Sequence, residues 1–394
     1  MDIIRTSVFT IALLIWRATT TTVPLIAVRM LNNQDYNSFI SLLGIIQIGA
    51  GIVGFGQVQY SYRRGSIESK SNEMLYATSV TISISIFLFG FLTLIPLGQT
   101  NIHAGLAAAL TLAAISLFLV DFTSTNALIS GRHVNAAKIL ISAAFFYACA
   151  TLLWLKMKNP YWILTGCISA AIFILIPNIF NPGGVMTRDG ARHLLRRLKF
   201  GGAQTVILIC TGSLPVFMNL LMPYSNTDIV GSKFISTFTA VCGGCLFFMT
   251  SRLTSKSAII ANTRYEDAWH NVAIFIRRSA FFTLPVIPIA QFIAMYLLSF
   301  TNILFGVIAW FFILAQLTVI YCRYVCFGNE LLHIDLIANL LPSASVYLAI
   351  VLLSITKVKI EPIYFLSLIA VLPLGSAVIY MSKLRAFKSK TVYE

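Results

Sequence analysis

Twelve apolar stretches occupy almost the whole chain, and no connection between them is long enough to fold as a separate domain. Each stretch has roughly the 20 mainly apolar residues that a helix needs to cross a bilayer. Hydrophobic residues make up 58% of the chain and charged residues only 10%, whereas soluble domains are about a quarter charged. The pattern therefore predicts a protein that folds in the membrane.

All twelve spans are expected to be helices, because lipid offers no partners to backbone N–H and C=O groups. We predict the spans at residues 7–30, 38–59, 75–97, 104–128, 139–155, 161–180, 203–222, 233–250, 279–299, 303–322, 335–354 and 362–382. The predicted fold class is an all-α polytopic membrane protein, with two six-helix lobes around a central cavity. The domains are then an N-terminal lobe at 1–180, a basic cytoplasmic linker at 181–202 and a C-terminal lobe at 203–394.

The lysines and arginines are unevenly distributed between the two ends of the predicted spans. Most of the 28 cations fall in connections on the side that holds both termini, and few fall on the other side. Because cytoplasmic loops carry an excess of Lys and Arg, both termini are predicted to be cytoplasmic. The net charge of +15 follows from this topology, and its alternation with apolar spans argues against a nucleic-acid surface.

Arg17 is one of two charged side chains predicted well inside a span. Helical spacing puts Arg17, Thr21 and Pro24 on one face of span 1, and this polar face is expected to line the cavity. One hypothesis is a structural residue paired with a neighbouring helix. The other is a fixed cation for an anionic group such as phosphate, which guanidinium binds in bidentate fashion.

Asp121, in span 4, is the second such charge. It would neutralise Arg17 as an ion pair, which is the favoured hypothesis, or carry a coupling proton. Gln57 and Gln204 are uncharged candidates for lining a wet cavity, although interhelical hydrogen bonding is the commoner role for such residues.

The two halves of the chain show a weak internal repeat. Pro24 in span 1 and Pro215 in span 7 lie at corresponding positions, and a polar turn with an aspartate follows each of them. Six spans per half give both halves the same orientation, as in a parallel repeat. Because proline removes a backbone donor, we predict Pro24 and Pro215 as hinges.

No catalytic, metal or cofactor site is predicted. The seven cysteines lie in spans or at their edges, which argues against a disulfide framework. Cys242 and Cys245 form a C-x-x-C within an apolar run, where close helix packing is the favoured interpretation over redox or metal chemistry.

Several short motifs in the first third of the chain carry a resemblance to a known family. They are Val23-Pro24-Leu25 through Leu31, the turn from Asn32 to Tyr36, Phe39, Gly54-Phe55-Gly56 with Arg63, and the basic loop from Ala127 to Arg132. With these motifs, the chain resembles the Wzx-type O-antigen and polysaccharide flippases, a branch of the multidrug/oligosaccharidyl-lipid/polysaccharide exporter superfamily.

The resemblance implies an inner-membrane flippase that moves an undecaprenyl-diphosphate-linked oligosaccharide to the periplasmic leaflet by alternating access. Arg17 would then bind the diphosphate, with Arg29 and Arg63 at the cavity mouths. Membrane lipids, an O-antigen polymerase and a chain-length regulator are the partners expected, and nucleic acid is not.

Two alternatives remain open. A multidrug or cation antiporter of the same fold would want an acidic residue in its cavity, whereas span 1 carries an arginine. An O-antigen polymerase is a membrane enzyme that usually has a large periplasmic loop, and the outer loops here are short. The sequence thus predicts a transporter rather than an enzyme.

Overall fold

The computed structural model describes residues 2–60, 70–94, 104–129, 132–157, 161–178, 188–212, 214, 230–255, 260–261, 265–329, 331–356 and 362–391. All described regular structure is helical. The helices are α1 (Asp2–Met30), α2 (Asn33–Gly54), α3 (Gln57–Tyr60), α4 (Lys70–Leu94), α5 (Ala104–Ile129), α6 (His133–Met157), α7 (Trp162–Asn178), α8 (Arg188–Gly212), α9 (Val230–Ser255), α10 (Tyr265–Thr283), α11 (Val286–Leu298), α12 (Leu304–Gly328), α13 (Leu332–Thr356) and α14 (Pro362–Thr391).

Within the described residues, every predicted span overlaps at least one of these helices. Within the described residues, seven helices are long and apolar enough to cross a membrane by themselves, and the bent pair α10–α11 passes the same test as one unit. Four shorter apolar helical segments, in α4, α7, α8 and α9, account for the other predicted spans. The all-α membrane fold with about twelve spans is therefore confirmed.

The ninth span differs from its prediction as a single helix from residue 279. It begins earlier, at Tyr265, and bends by 44° between α10 and α11. Pro285 lies at the bend, where its missing N–H and its ring prevent a continuous helix. As a result, Arg277 and Arg278, which the sequence places in a cytoplasmic loop, lie on α10.

The chain divides into two compact units that are not simple halves of the sequence. Unit 1 comprises residues 1–19 and 42–212, and unit 2 comprises residues 20–41 and 213–394. The segment 20–41, which holds the second half of α1 and the start of α2, thus belongs to unit 2. Helix α8 starts within the predicted linker and belongs to unit 1. The six-plus-six lobe boundaries stay a prediction.

Unit 1 is built around small residues. Alanines are buried along α5, α6 and α7, which lets these helices approach closely, as small residues do in membrane bundles. The first half of α1 joins this packing through Trp16, whose ring meets that of Tyr147 edge-on at 5.8 Å between centroids.

Unit 2 has an aromatic core instead. Phe234 and Phe238 of α9 both pack edge-on against Phe305 of α12, with centroids 5.4 Å apart in each pair. Phe300 adds a further edge-on contact with Phe234 at 4.9 Å. Such pairs contribute about 0.5–1.5 kcal/mol each beyond area burial, so they help to hold α9 on α12.

Gly328, the last residue of α12, lies against the backbone of another segment of unit 2. A Cβ atom added there would overlap the carbonyl oxygen of Ala261. We therefore expect Gly328→Ala to lower the free energy of unfolding by about 1–3 kcal/mol, the usual cost of overpacking. Thermal unfolding of the purified protein in detergent measures this.

The matched control is Gly90→Ala in α4, because a Cβ atom there has no neighbour within 4 Å. Alanine in a helix is favoured over glycine by about 1 kcal/mol, so this variant should be as stable as the parent or more stable. Equal unfolding temperatures for Gly328→Ala and the parent would contradict the close approach.

Candidate functional site

Arg17 and Asp121, the two charges predicted within spans, both belong to unit 1. Arg17 of α1 is half-buried and the Asp121 side chain of α5 is exposed. The two charges interact electrostatically, and each lies on a helix long and apolar enough to span a membrane. Unit 1 thus holds a cation and a carboxylate that interact, and their roles in ion pairing, cargo binding or coupling stay predictions.

The segments around Arg17 explain how the pair is positioned. Trp16, next in the chain, is buried against Tyr147 of α6, so the first half of α1 is anchored in unit 1. On α5, Phe118 and Phe122 stack at 5.3 Å between centroids, on either side of Asp121 in sequence. Aromatic residues therefore neighbour both charges in the sequence, and Trp16 anchors the segment of α1 that carries Arg17.

Gln204 lies beside the tight turn that directly precedes Gln57 in unit 1. Gly56, between α2 and α3, has φ +68°, and a Cβ atom there would lie 3.0 Å from Cβ of Gln204 and 2.9 Å from Cα of Gly201. The side chains of Gln57 and Gln204 are both buried. Burial of both amides favours interhelical hydrogen bonding over direct contact with a cargo.

Thr21 and Pro24 belong to unit 2, although Arg17 on the same helix belongs to unit 1. The Thr21 methyl group lies 3.3 Å from the Cβ position of Gly244 in α9. Pro24 is buried, and α1 continues past it as one helix to Met30. The hinge role of Pro24 stays a prediction.

Arg29, predicted at a cavity mouth, is engaged by Tyr296 of α11. Its Nη1 donates a hydrogen bond to the tyrosine hydroxyl at 2.7 Å, and its Cζ lies 4.0 Å from the ring centroid. Two residues after Arg29, the carbonyl oxygen of Leu31 accepts a hydrogen bond from Lys233 Nζ at 3.3 Å, and this Nζ atom lies 5.8 Å from the centroid of the Tyr36 ring. Arg29 and Lys233 thus stabilise the connection between α1 and α2 within unit 2.

Two predicted site residues, Arg63 and Pro215, lie outside the described residues. Their proposed roles at a cavity mouth and as a hinge stay predictions.

The structure contains a buried polar cluster in unit 2 that the sequence did not predict. Asp335 of α13 is completely buried and forms an ion pair with Arg323 of α12, at 3.3 Å between Nε and Oδ1. Tyr380 of α14 donates its hydroxyl proton to Asp335 Oδ1. Asn339 Nδ2 donates to the Tyr380 hydroxyl at 2.8 Å and to the Asp335 backbone oxygen at 2.7 Å. One carboxylate therefore joins three helices.

The predicted spans, 303–322 and 335–354, leave Arg323 just outside one span and put Asp335 at the first residue of the next. The structure corrects both positions, because α12 extends to Gly328 and α13 begins at Leu332. The sequence contains a pattern that could have predicted this ion pair. Two opposite charges flank a very short connection between apolar helices, and unpaired charges inside a membrane are costly. Arg323 also lies over the Phe327 ring, 5.4 Å from Cζ to the centroid.

Comparison with known proteins gives structural likeness only. No family model matches the chain, and no curated protein matches it. A MATE crystal structure in complex with MaL6 superposes with a TM-score of 0.67 at 12% identity, covering 99% of this chain and 97% of the other. An outward-facing multidrug resistance MATE family transporter of the MOP superfamily also gives 0.67, at 13% identity and 99% and 96% coverage. The chain has the MATE transporter fold.

A third MATE-fold neighbour is a MOP superfamily transporter from Pyrococcus furiosus, with a TM-score of 0.56 at 12% identity and coverage of 98% and 95%. The binding pocket of that transporter has reverse polarity, which suggests a different function for it. These neighbours are transporters rather than enzymes. The likeness extends over 98–99% of the chain and shows the fold alone.

Proposed function

We propose that this chain is a membrane transporter that works by alternating access. The full-length match to MATE transporters carries the proposal. Two compact units supply the separate bodies that alternating access needs, since such transporters rock one bundle against another around a central site. Net transport then requires a second process, because binding by itself shifts only an equilibrium.

For the cargo, we place first an organic cation exchanged for a coupling ion, as in a multidrug antiporter. Two observations favour this over the flippase: the neighbours include a multidrug resistance transporter, and Asp121 is an exposed carboxylate on a membrane helix. A carboxylate in this position attracts a lipophilic cation or carries a proton, and charges inside spans are usually functional.

The second candidate is a flippase for undecaprenyl-diphosphate-linked oligosaccharide. Arg17 favours it, because a half-buried guanidinium on a membrane helix suits a diphosphate. The Pyrococcus furiosus neighbour adds support, since it indicates that this fold accommodates pockets of different polarity. In this case a polymerase and a chain-length regulator would be the partners, and consumption of the flipped product would supply direction.

One experiment with two readouts separates the candidates. The gene is deleted in its host, and the cells are scored for accumulation of ethidium, a lipophilic cation, and for lipid-linked oligosaccharide in each leaflet. We expect the deletion strain to retain ethidium at least a few-fold more than its parent, with complementation by the intact gene restoring efflux.

Unchanged ethidium with complete lipid-linked units stranded in the cytoplasmic leaflet would instead identify the flippase. Units stranded in the periplasmic leaflet would point to a polymerase and contradict both transport proposals. Normal ethidium retention together with normal glycolipids would also contradict both.

The location and orientation form part of the same proposal. The charge distribution supports an inner-membrane protein with both termini in the cytoplasm. In that orientation the exposed Arg385 near the end of α14 faces the cytoplasm.

A further inference from the structure

A groove beside the bend of the ninth span combines positive charge with exposed aromatic surface. The groove has a volume of about 820 Å³ and is formed by α10, the bend and one residue of α12. Its lining comprises Ile274, Arg277, Arg278, Ala280, Phe281, Phe282, Leu284 and Trp310. All of these residues belong to unit 2.

The two arginines form the charged part of the groove. Arg277 and Arg278 are both exposed, and within the described part of the chain neither forms a hydrogen bond or an ion pair with another residue. No acidic residue is among those that line the groove in the described residues. The groove therefore offers two guanidinium groups to an outside anion, and guanidinium matches phosphate oxygens in bidentate geometry.

The aromatic residues form the apolar part. Phe281 and Phe282 are each 73% exposed, which suits contact with hydrocarbon rather than water. Trp310 Nε1 donates a hydrogen bond to Thr283 Oγ1 at 2.8 Å. This bond fixes the indole ring of α12 beside the bend, where it lines one side of the groove. Tryptophan is enriched where the membrane meets water, so we expect the arginines at headgroup level.

We propose that this groove binds an anionic phospholipid, with its phosphodiester on Arg277 and Arg278 and an acyl chain along Phe281 and Phe282. Topology by itself explains cations on this side of the membrane, but it does not require two adjacent arginines over a concave aromatic surface. Charge complementarity selects the anionic lipid, because cytoplasmic leaflets are rich in such headgroups. The proposal is independent of the transported cargo.

The test is a titration of the purified full-length protein in detergent, with bound lipid counted by native mass spectrometry. Phosphatidylglycerol and phosphatidylcholine with identical acyl chains are the two probes. We expect one phosphatidylglycerol to bind with at least tenfold higher affinity than phosphatidylcholine. In Arg277→Gln/Arg278→Gln, that affinity should fall by roughly tenfold or more, since each cation near an anionic lipid surface contributes about a few-fold in affinity.

Three matched variants keep the result specific. Lys383→Gln/Arg385→Gln removes the same charge from exposed positions of α14 and should change the affinity by less than about twofold. Arg277→Lys/Arg278→Lys retains the charge and should bind several-fold better than the glutamine pair. Phe281→Ala/Phe282→Ala should weaken both lipids, because the acyl contact is common to them.

Three outcomes would overturn the site. They are equal binding of the two lipids, equal losses in the glutamine pair and the α14 control, and complete competition by millimolar inorganic phosphate. The last of these would mean that the arginines bind free phosphate without a lipid. If the glutamine pair fails to fold, the lysine pair and the lipid preference of the intact protein still decide the question.

Discussion

Asp335→Ala is expected to destabilise the protein by about 3–5 kcal/mol, the usual result of removing one partner from a buried ion pair. Asp335 is completely buried, forms an ion pair with Arg323 and accepts a hydrogen bond from Tyr380, so its loss leaves a guanidinium inside unit 2 without this counter-ion. The measurement is the unfolding temperature of purified protein in detergent, together with the yield of folded protein from membranes.

Two further variants identify the cause. Asp267→Ala removes an exposed carboxylate from α10 and should have little effect on stability. The pair Arg323→Met/Asp335→Leu should recover much of the lost stability, because well-packed apolar residues often replace buried ion pairs without cost. An Asp335→Ala protein that unfolds at the parent temperature would show that the cluster does not hold α12, α13 and α14 together.

Asp121→Asn is expected to reduce ethidium efflux at least tenfold, while the protein reaches the membrane in normal amounts. The amide keeps the size of the side chain but removes the negative charge, so neither a cationic cargo nor a coupling proton is held there. Tenfold corresponds to about 1.4 kcal/mol, a modest value for a charge on a membrane helix. Efflux is measured from cells or from proteoliposomes that contain the purified variant.

Arg17 variants decide which of the two charges the cargo contacts. For a cationic cargo, Arg17→Gln should impair efflux less than Asp121→Asn. For a diphosphate cargo, the order of the two effects on flipping should be reversed, and Arg17→Lys should retain more activity than Arg17→Ala. Asp267→Asn provides the control for loss of an exposed carboxylate. Parent-level activity in both Arg17→Gln and Asp121→Asn would exclude the pair from transport.

Much of the architecture was predictable because the bilayer imposes a strong rule on sequence. Every span of about 20 apolar residues must be helical, so hydropathy identified the twelve helical positions without reference to tertiary contacts. Arg17 and Asp121 were predictable for the same reason, since a charge is conspicuous in an apolar run. Span 9 was less regular, because local hydropathy does not show that the helix before Pro285 begins at Tyr265.

The buried cluster of Arg323, Asp335, Asn339 and Tyr380 in unit 2 could not be predicted from hydropathy. The predicted spans, 303–322 and 335–354, put Arg323 and Asp335 at span ends, where a charge usually faces headgroups or water. Only the packing of α12 against α13 and α14 turns them inward and adds Tyr380, which lies 45 residues beyond Asp335 in the chain. A contact between residues so far apart in the chain produces no local sequence pattern from which it could be predicted.

The sequence by itself determined that this protein is a helical membrane protein, because hydrophobic transfer acts on each segment independently of the others. Tertiary structure alone decided which charges are accessible and which are enclosed, and it assigned residues 20–41 to unit 2. It also formed the groove at the bend of span 9. These features depend on contacts between segments distant in the chain, and such contacts arise only when the helices pack.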